Sequence, residues 1–177
     1  ATTWHQRVLG FVACLVALFT QLFQLGRVLT LRYAMRAKPA GSGREPDIMF
    51  VAATNVARME ESHLNGPADL IVEIVSDDSV ARDRADKFYE YQDAAVREYW
   101  IIDPRPNRQR ADFYVLDARG RYQPVPIGAD GIYHSTVLPD FWLKVDWLWQ
   151  DDPNALTALA EIVGAEKLMA AVQGKTS

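Results

Sequence analysis

Hydrophobic positions near the start of the chain recur every three to four residues. Val8, Leu9, Val12, Leu15, Val16, Phe19, Leu22 and Phe23 share one stripe, the spacing of a helix packed on a core. The pattern predicts a helix over 3–25, closed by Gly26. The period then shortens. Residues 27–35 read as a strand with mixed faces, and Lys38 to Gly43 as a loop. Residues 46–53 form a second strand in which Ile48 to Val51 are continuously apolar, as in a strand covered on both sides. A short helix or turn over 55–62 and a break at Asn65-Gly66-Pro67 follow. Residues 69–76 make a third strand, with Glu73 alone among Leu70, Ile71, Val72, Ile74 and Val75.

Ser79 can cap a helix that runs to about Ala95. A fourth strand over 98–102 is stopped by Asp103-Pro104. Residues 111–116 and 121–126 form a hairpin around Asp117 to Gly120. Short strands near 132–134 and 141–145 lead to a closing helix over 154–172. This order predicts an α/β fold with a mixed central sheet. It is expected to be one domain, with an N-terminal helix 3–25, a core 27–145 and a C-terminal helix 154–172.

Composition narrows the classes. With 49% apolar and 24% charged residues the chain is ordinary globular sequence, which disfavours disorder and coiled coil. A net charge of -4 excludes a generally basic nucleic-acid surface, so any such contact needs a local patch. Cys14 stands alone, which removes internal disulfides and cysteine-rich zinc sites and makes a reducing, cytoplasmic setting the default. The apolar run Phe11 to Phe19 is shorter than the roughly 20 residues of a membrane span. A signal peptide is the sharper rival. However, only His5 and Arg7 precede the run as basic residues, and no small-x-small site follows closely. A soluble helix and no membrane partner are expected. The sequence does not begin with Met, as in a trimmed or partial chain.

Glu73 carries the most chemical information. A carboxylate inside an apolar strand is costly unless it is paired, protonated or bound to a metal. Asp47 opens the preceding strand, so if the two strands are neighbours both acids meet at one end of the sheet. Two carboxylates with a backbone carbonyl, that of Ile74, suit a hard cation such as Mg²⁺ or Mn²⁺. The alternative for Glu73 is a sheet-edge residue or half of a buried ion pair. On the following helix Val80, Ala81, Ala85, Phe88, Tyr91 and Ala95 form the apolar arc, opposite Asp83, Asp86, Glu90 and Asp93. Arg84 lies within that arc. Lys87 lies at its edge and can reach back toward Glu73; its alternative is to extend to water and pair with Asp83. Two carboxylates and a lysine serve metal-dependent phosphodiester hydrolysis.

Four blocks now stand in order: Arg-Glu-Pro-Asp-Ile at 44–48, Asp-Leu-Ile-Val-Glu-Ile-Val-Ser at 69–76, Asp-Arg-Ala-Asp-Lys at 83–87 and Val-Arg-Glu-Tyr-Trp-Ile-Ile-Asp-Pro at 96–104. Together they closely resemble the Uma-two family of restriction-endonuclease domains, within the PD-(D/E)XK nuclease superfamily. The likeness extends from His5-Gln6-Arg7 to Leu138-Pro139-Asp140-Phe141-Trp142. It implies a restriction-endonuclease-like mixed sheet flanked by helices and a metal-dependent DNA endonuclease. Asp47 and Glu73 would be the metal-binding acids and Lys87 the lysine. The superfamily usually places its lysine two residues after the glutamate, where this chain has Val75; the Uma-two pattern places it on the next helix. Asp77 stands where the family commonly has Pro. Relatives often carry a strand pair before the His5 helix; where that pair builds the sheet or site, a chain without it is expected to be less stable or inactive. A module that keeps the fold without turnover is the alternative reading. Pairing of two copies to cut both strands is expected by analogy.

Other candidates are weaker. His5 matches a recurrent family histidine and could touch the site, or could serve as a helix cap. Ser76, Asp77 and Arg84 are candidates for supporting the acids. His63 and His134 fit no metal spacing. Arg105, Arg108, Arg110, Arg119 and Arg121 form a basic stretch that could meet a phosphate backbone, or be a solvated hairpin face. Phe141, Trp142, Trp147, Leu148 and Trp149 read as core or as a dimer surface.

Overall fold

The computed structural model describes residues 2–30, 32–37, 43–76 and 81–174, with the backbone alone for 81–83. Helix α1 (Thr3–Leu22) opens the chain, and the Thr2 side chain accepts from the His5 N–H at its start. The predicted closure at Gly26 is corrected. Leu25 N–H bonds to the Thr20 carbonyl and Gln24 N–H to that of Gln21, while Gln24 adopts a left-handed φ of 54°. This is the double hydrogen-bonded helix stop that usually employs glycine. Gly26 instead opens strand β1 (Gly26–Thr30), where a Cβ would lie 2.0 Å from the Val51 carbonyl oxygen.

The predicted strand 27–35 divides. Its second part is β2 (Ala34–Arg36), which pairs in parallel with β4 (His63–Asn65), a strand the break at Gly66 hid. Between them come β3 (Ile48–Ala52) and a 3₁₀ turn, Ala53–Arg58. Then follow β5 (Leu70–Ile74), α2 (Ala81–Asp93), β6 (Glu98–Asp103), β7 (Arg110–Leu116) and β8 (Tyr122–Pro124). The chain finishes with β9 (Ile132–His134), β10 (Trp142–Lys144), a 3₁₀ turn at Val145–Trp149, α3 (Ala155–Val163) and α4 (Ala165–Val172). The single closing helix is corrected to two, because Gly164 leaves helical geometry at φ 92°. The loop over 38–42 and the cap at Ser79 lie outside the described residues.

Six strands form one mixed sheet in the order β1-β3-β5-β6-β7-β8. Only β5 and β6 run parallel, joined across α2; the other neighbours are antiparallel. Side-chain alternation divides each central strand between two cores. Ile48, Phe50, Leu70, Val72, Trp100 and Ile102 face α1, α3 and the β9–β10 pair. Met49, Val51, Ile71 and Tyr99 face α2 and the β2–β4 pair. That double coverage explains the unbroken apolar runs of β3 and β5.

Helix α1 is long and apolar enough to cross a membrane by length and composition, but half of its most apolar window is buried. Val8, Val12, Leu15, Val16 and Phe19 spend that apolar face on the sheet. In the aromatic segment 141–149, Phe141, Trp147 and Leu148 are buried in the core, while Trp142, stacked on Trp147, and Trp149 are half-buried.

Candidate active site

β3 and β5 pair antiparallel with Ile48 opposite Val72. Continuing that register by one residue sets Asp47 opposite Glu73, where side chains lie about 5 Å apart at Cβ. Glu73 shares the parity of Ile71, so it projects toward α2 rather than α1. Asp47 Oδ2 accepts from the Ile74 N–H at 2.7 Å, which fixes the aspartate against the end of β5. From α2, Lys87 Nζ donates to Glu73 Oε2 at 3.0 Å. The expectation that Lys87 reaches back to Glu73 is met; the Asp83 side chain lies outside the described residues.

From the other face of the sheet, the first turn of α1 brings His5 Nε2 to 3.9 Å from Asp47 Oδ2. That is too long for a hydrogen bond. His5 is buried, and its Nδ1 has no partner among the described residues. Asp47, Glu73, Lys87 and His5 border one cleft of about 110 Å³, shared with Ile74, Ser76, Arg84 and Tyr99. The supporting roles suggested for His5, Ser76 and Arg84 therefore fall on residues beside the acids. Asp77 lies outside the described residues.

Burial pushes the Glu73 carboxyl above its ordinary pKa. Lys87 opposes the rise, the Asp47 charge reinforces it, and the Tyr91 hydroxyl hydrogen bond also opposes it. Tyr91 is a residue the sequence did not single out, because it lies in the apolar arc of its helix. Its hydroxyl donates to Glu73 Oε1 at 2.7 Å. Burial, then the Glu73 charge, raise the Tyr91 pKa, so the phenol stays a donor. The spacing of Lys87 and Tyr91, one helical turn apart, was the signal available for it.

The donor set fits a hard cation. Both acids supply carboxylate oxygen, and Asp47 Oδ1 makes no hydrogen bond among the described residues. Ile74 borders the cleft, whose volume is several times the ~30 Å³ share of one water. Among the described residues no group of three or more His, Cys, Asp and Glu is arranged to hold a metal. Any cation would complete its sphere with backbone and water oxygen, as Mg²⁺ does.

Two other buried acids, Asp69 and Glu98, were passed over by the sequence reading. They occupy the opposite end of the same strands and are held by protein donors alone. Asp69 accepts from Ala52 N–H, Asn55 and Arg97. Glu98 accepts from Trp100 Nε1, from Ser135, from the Thr136 amide and hydroxyl, and from Val137 N–H.

The basic stretch divides in the same way. Arg105, Arg108 and Arg110 lie where β6 ends and β7 begins, at the end of the sheet that carries Glu73. Arg105 grips Asp103 at 2.7 and 2.8 Å; burial raises that carboxyl's pKa, but Arg105 and the Arg84 charge hold it below its usual range. Arg110 pairs with Asp112 and remains exposed. Arg119 and Arg121 sit in the β7–β8 turn, the length of β7 away, which is about 20 Å. The five arginines are therefore not one patch.

Comparison with known proteins bears on the fold and the family. No curated protein matches the chain. A crystal structure of "a putative nuclease belonging to DUF820" from Anabaena variabilis is similar in fold, with a TM-score of 0.65 at 15% identity. The match covers 84% of this chain and 82% of the other. The model of the Uma2 (Uma-two) family, described as "Putative restriction endonuclease", matches residues 1–146. Matched over most of its length, the chain belongs to the Uma2 family of nucleases.

Proposed function

We propose that the protein is a metal-dependent endonuclease that hydrolyses phosphodiester bonds in DNA. The observation that carries this reading is the meeting of Asp47, Glu73 and Lys87 in one cleft at the end of the sheet. Asp47 and Glu73, with the Ile74 carbonyl, are the donors for Mg²⁺ or Mn²⁺. When bound, such a cation lowers the pKa of water and offsets phosphate charge. The protein's own groups do the rest. As the ammonium that donates to Glu73, Lys87 orients the attacking water, and its charge offsets that on the phosphate. His5 and Arg84 line the approach. Arg108 and Arg110, with Arg105, offer cationic contacts to the backbone at the same end of the sheet. Two copies acting together would cut both strands. The lone Cys14 is consistent with a cytoplasmic setting.

The test is nicking of supercoiled plasmid. Cleavage is expected with Mg²⁺ or Mn²⁺, and is lost in EDTA and in folded Glu73→Ala and Lys87→Ala proteins. Absence of cleavage across double-stranded DNA, single-stranded DNA and RNA by folded, cation-saturated protein would refute it.

One observation favours the second reading, a nuclease-fold module without turnover. Both Glu73 oxygens already hold protein partners, Tyr91 and Lys87, so the network is satisfied without a cation. On that reading Glu73→Ala leaves function intact.

A further inference from the structure

Glu73 has two carboxylate oxygens, and α2 addresses each with a separate donor. Lys87 reaches Oε2 at 3.0 Å and Tyr91 reaches Oε1 at 2.7 Å. The two donors are four residues apart and so project from one face of the helix. They differ in freedom. The Lys87 side chain keeps 22% of its surface exposed, whereas Tyr91 is fully buried. The Tyr91 ring packs edge-on against Tyr99 at 5.2 Å between centroids, and Tyr99 itself sits on β6. A ring so enclosed has little rotamer freedom, and its hydroxyl is a fixed point from which the carboxylate hangs.

We propose that Tyr91 is a positioning residue: by occupying Oε1 it sets the Glu73 rotamer and leaves Oε2 as the oxygen shared between Lys87 and a bound cation. This rests on the cation-binding reading given above. A carboxylate tied at one oxygen cannot swing or chelate freely, so the cation meets a single preset donor. Hydrogen bonds of this kind behind a metal ligand are worth about 10–100-fold in metal affinity.

The experiment is calorimetric titration of Mn²⁺ into four folded proteins: wild type, Tyr91→Phe, Tyr122→Phe and a chain with p-aminophenylalanine at position 91. Tyr122 is the control, because its buried hydroxyl donates to the Val96 carbonyl at 2.9 Å, away from the cleft. Losing either phenol removes one buried hydrogen bond, so stability alone cannot separate them. The Tyr91→Phe protein is expected to bind Mn²⁺ roughly 10–100-fold more weakly than wild type. The Tyr122→Phe protein is expected to match wild type. The p-amino variant, which restores a donor at the same place, is expected to recover most of the loss; it also carries the test if Tyr91→Phe does not fold. Equal affinity of Tyr91→Phe and wild type, or failure of the para donor to support binding, overturns the role of Tyr91 while leaving the cation site intact. Wild type that binds no Mn²⁺ overturns both.

Discussion

Replacing Lys87 with Met keeps the apolar stem and deletes the ammonium that faces Glu73. At 3.0 Å the pair is worth about 5 kcal/mol gross at an effective dielectric of 20. Lys87 returns to water when the chain unfolds, and it is partly exposed in the fold. Desolvation and solvent screening therefore offset more than half of that, leaving about 2 kcal/mol net. The pH dependence separates this loss from simple damage to packing. Burial already places the wild-type Glu73 pKa above its unfolded value. Its ionisation therefore erodes stability as pH rises from the ordinary carboxylate range through the folded pKa. Without the ammonium that pKa moves higher still, and the erosion is greater. Urea denaturation of both proteins in EDTA is expected to show nearly equal stability near pH 4, and a gap that widens to about 2 kcal/mol toward neutrality. In a Glu73→Gln background the same substitution is expected to cost much less. A gap that is absent at pH 7, or that is the same at both pH values, would refute the pairing.

Glu73→Gln alone removes a charge that burial disfavours, so in EDTA at neutral pH its thermal midpoint is expected to equal or exceed that of wild type, while Mn²⁺ binding is lost. A large drop in midpoint would count against the buried-charge argument. Glu98→Ala leaves several buried donors without an acceptor and is expected to cost about 3 kcal/mol or more in urea denaturation. Mn²⁺ affinity should not change, because Glu98 lies at the far end of its strand. Gly26→Ala sets a Cβ against the Val51 carbonyl and is expected to cost at least about 2 kcal/mol in the same assay.

Much of this arrangement was legible in the sequence, for identifiable reasons. Glu73 announced itself because a charge in an unbroken apolar strand needs a partner. Lys87 did so because it breaks the division between the acidic and apolar arcs of α2. Tyr91 went unnoticed because a buried tyrosine on an apolar arc is chemically silent until its hydroxyl is located. Glu98 and Asp69 have the same composition as a catalytic acid; only the sheet register separates their end of the strands from that of Glu73. The helix stop at Gln24 was missed because the left-handed position usually belongs to glycine, and Gly26 stood two residues away. Strand β4 was hidden because it is only three residues long and pairs with a strand distant in sequence. The basic stretch looked continuous because a hairpin brings its ends close in sequence while the strand length holds them apart.

The account depends on Asp47 and Glu73 sharing one divalent cation. The most direct test is an anomalous-scattering map from crystals of the protein soaked in Mn²⁺. The account predicts a single strong peak in the cleft, in contact with carboxylate oxygens of both Asp47 and Glu73. A well-measured map with no peak there at saturating Mn²⁺, or with peaks only at other surface acids, would contradict it.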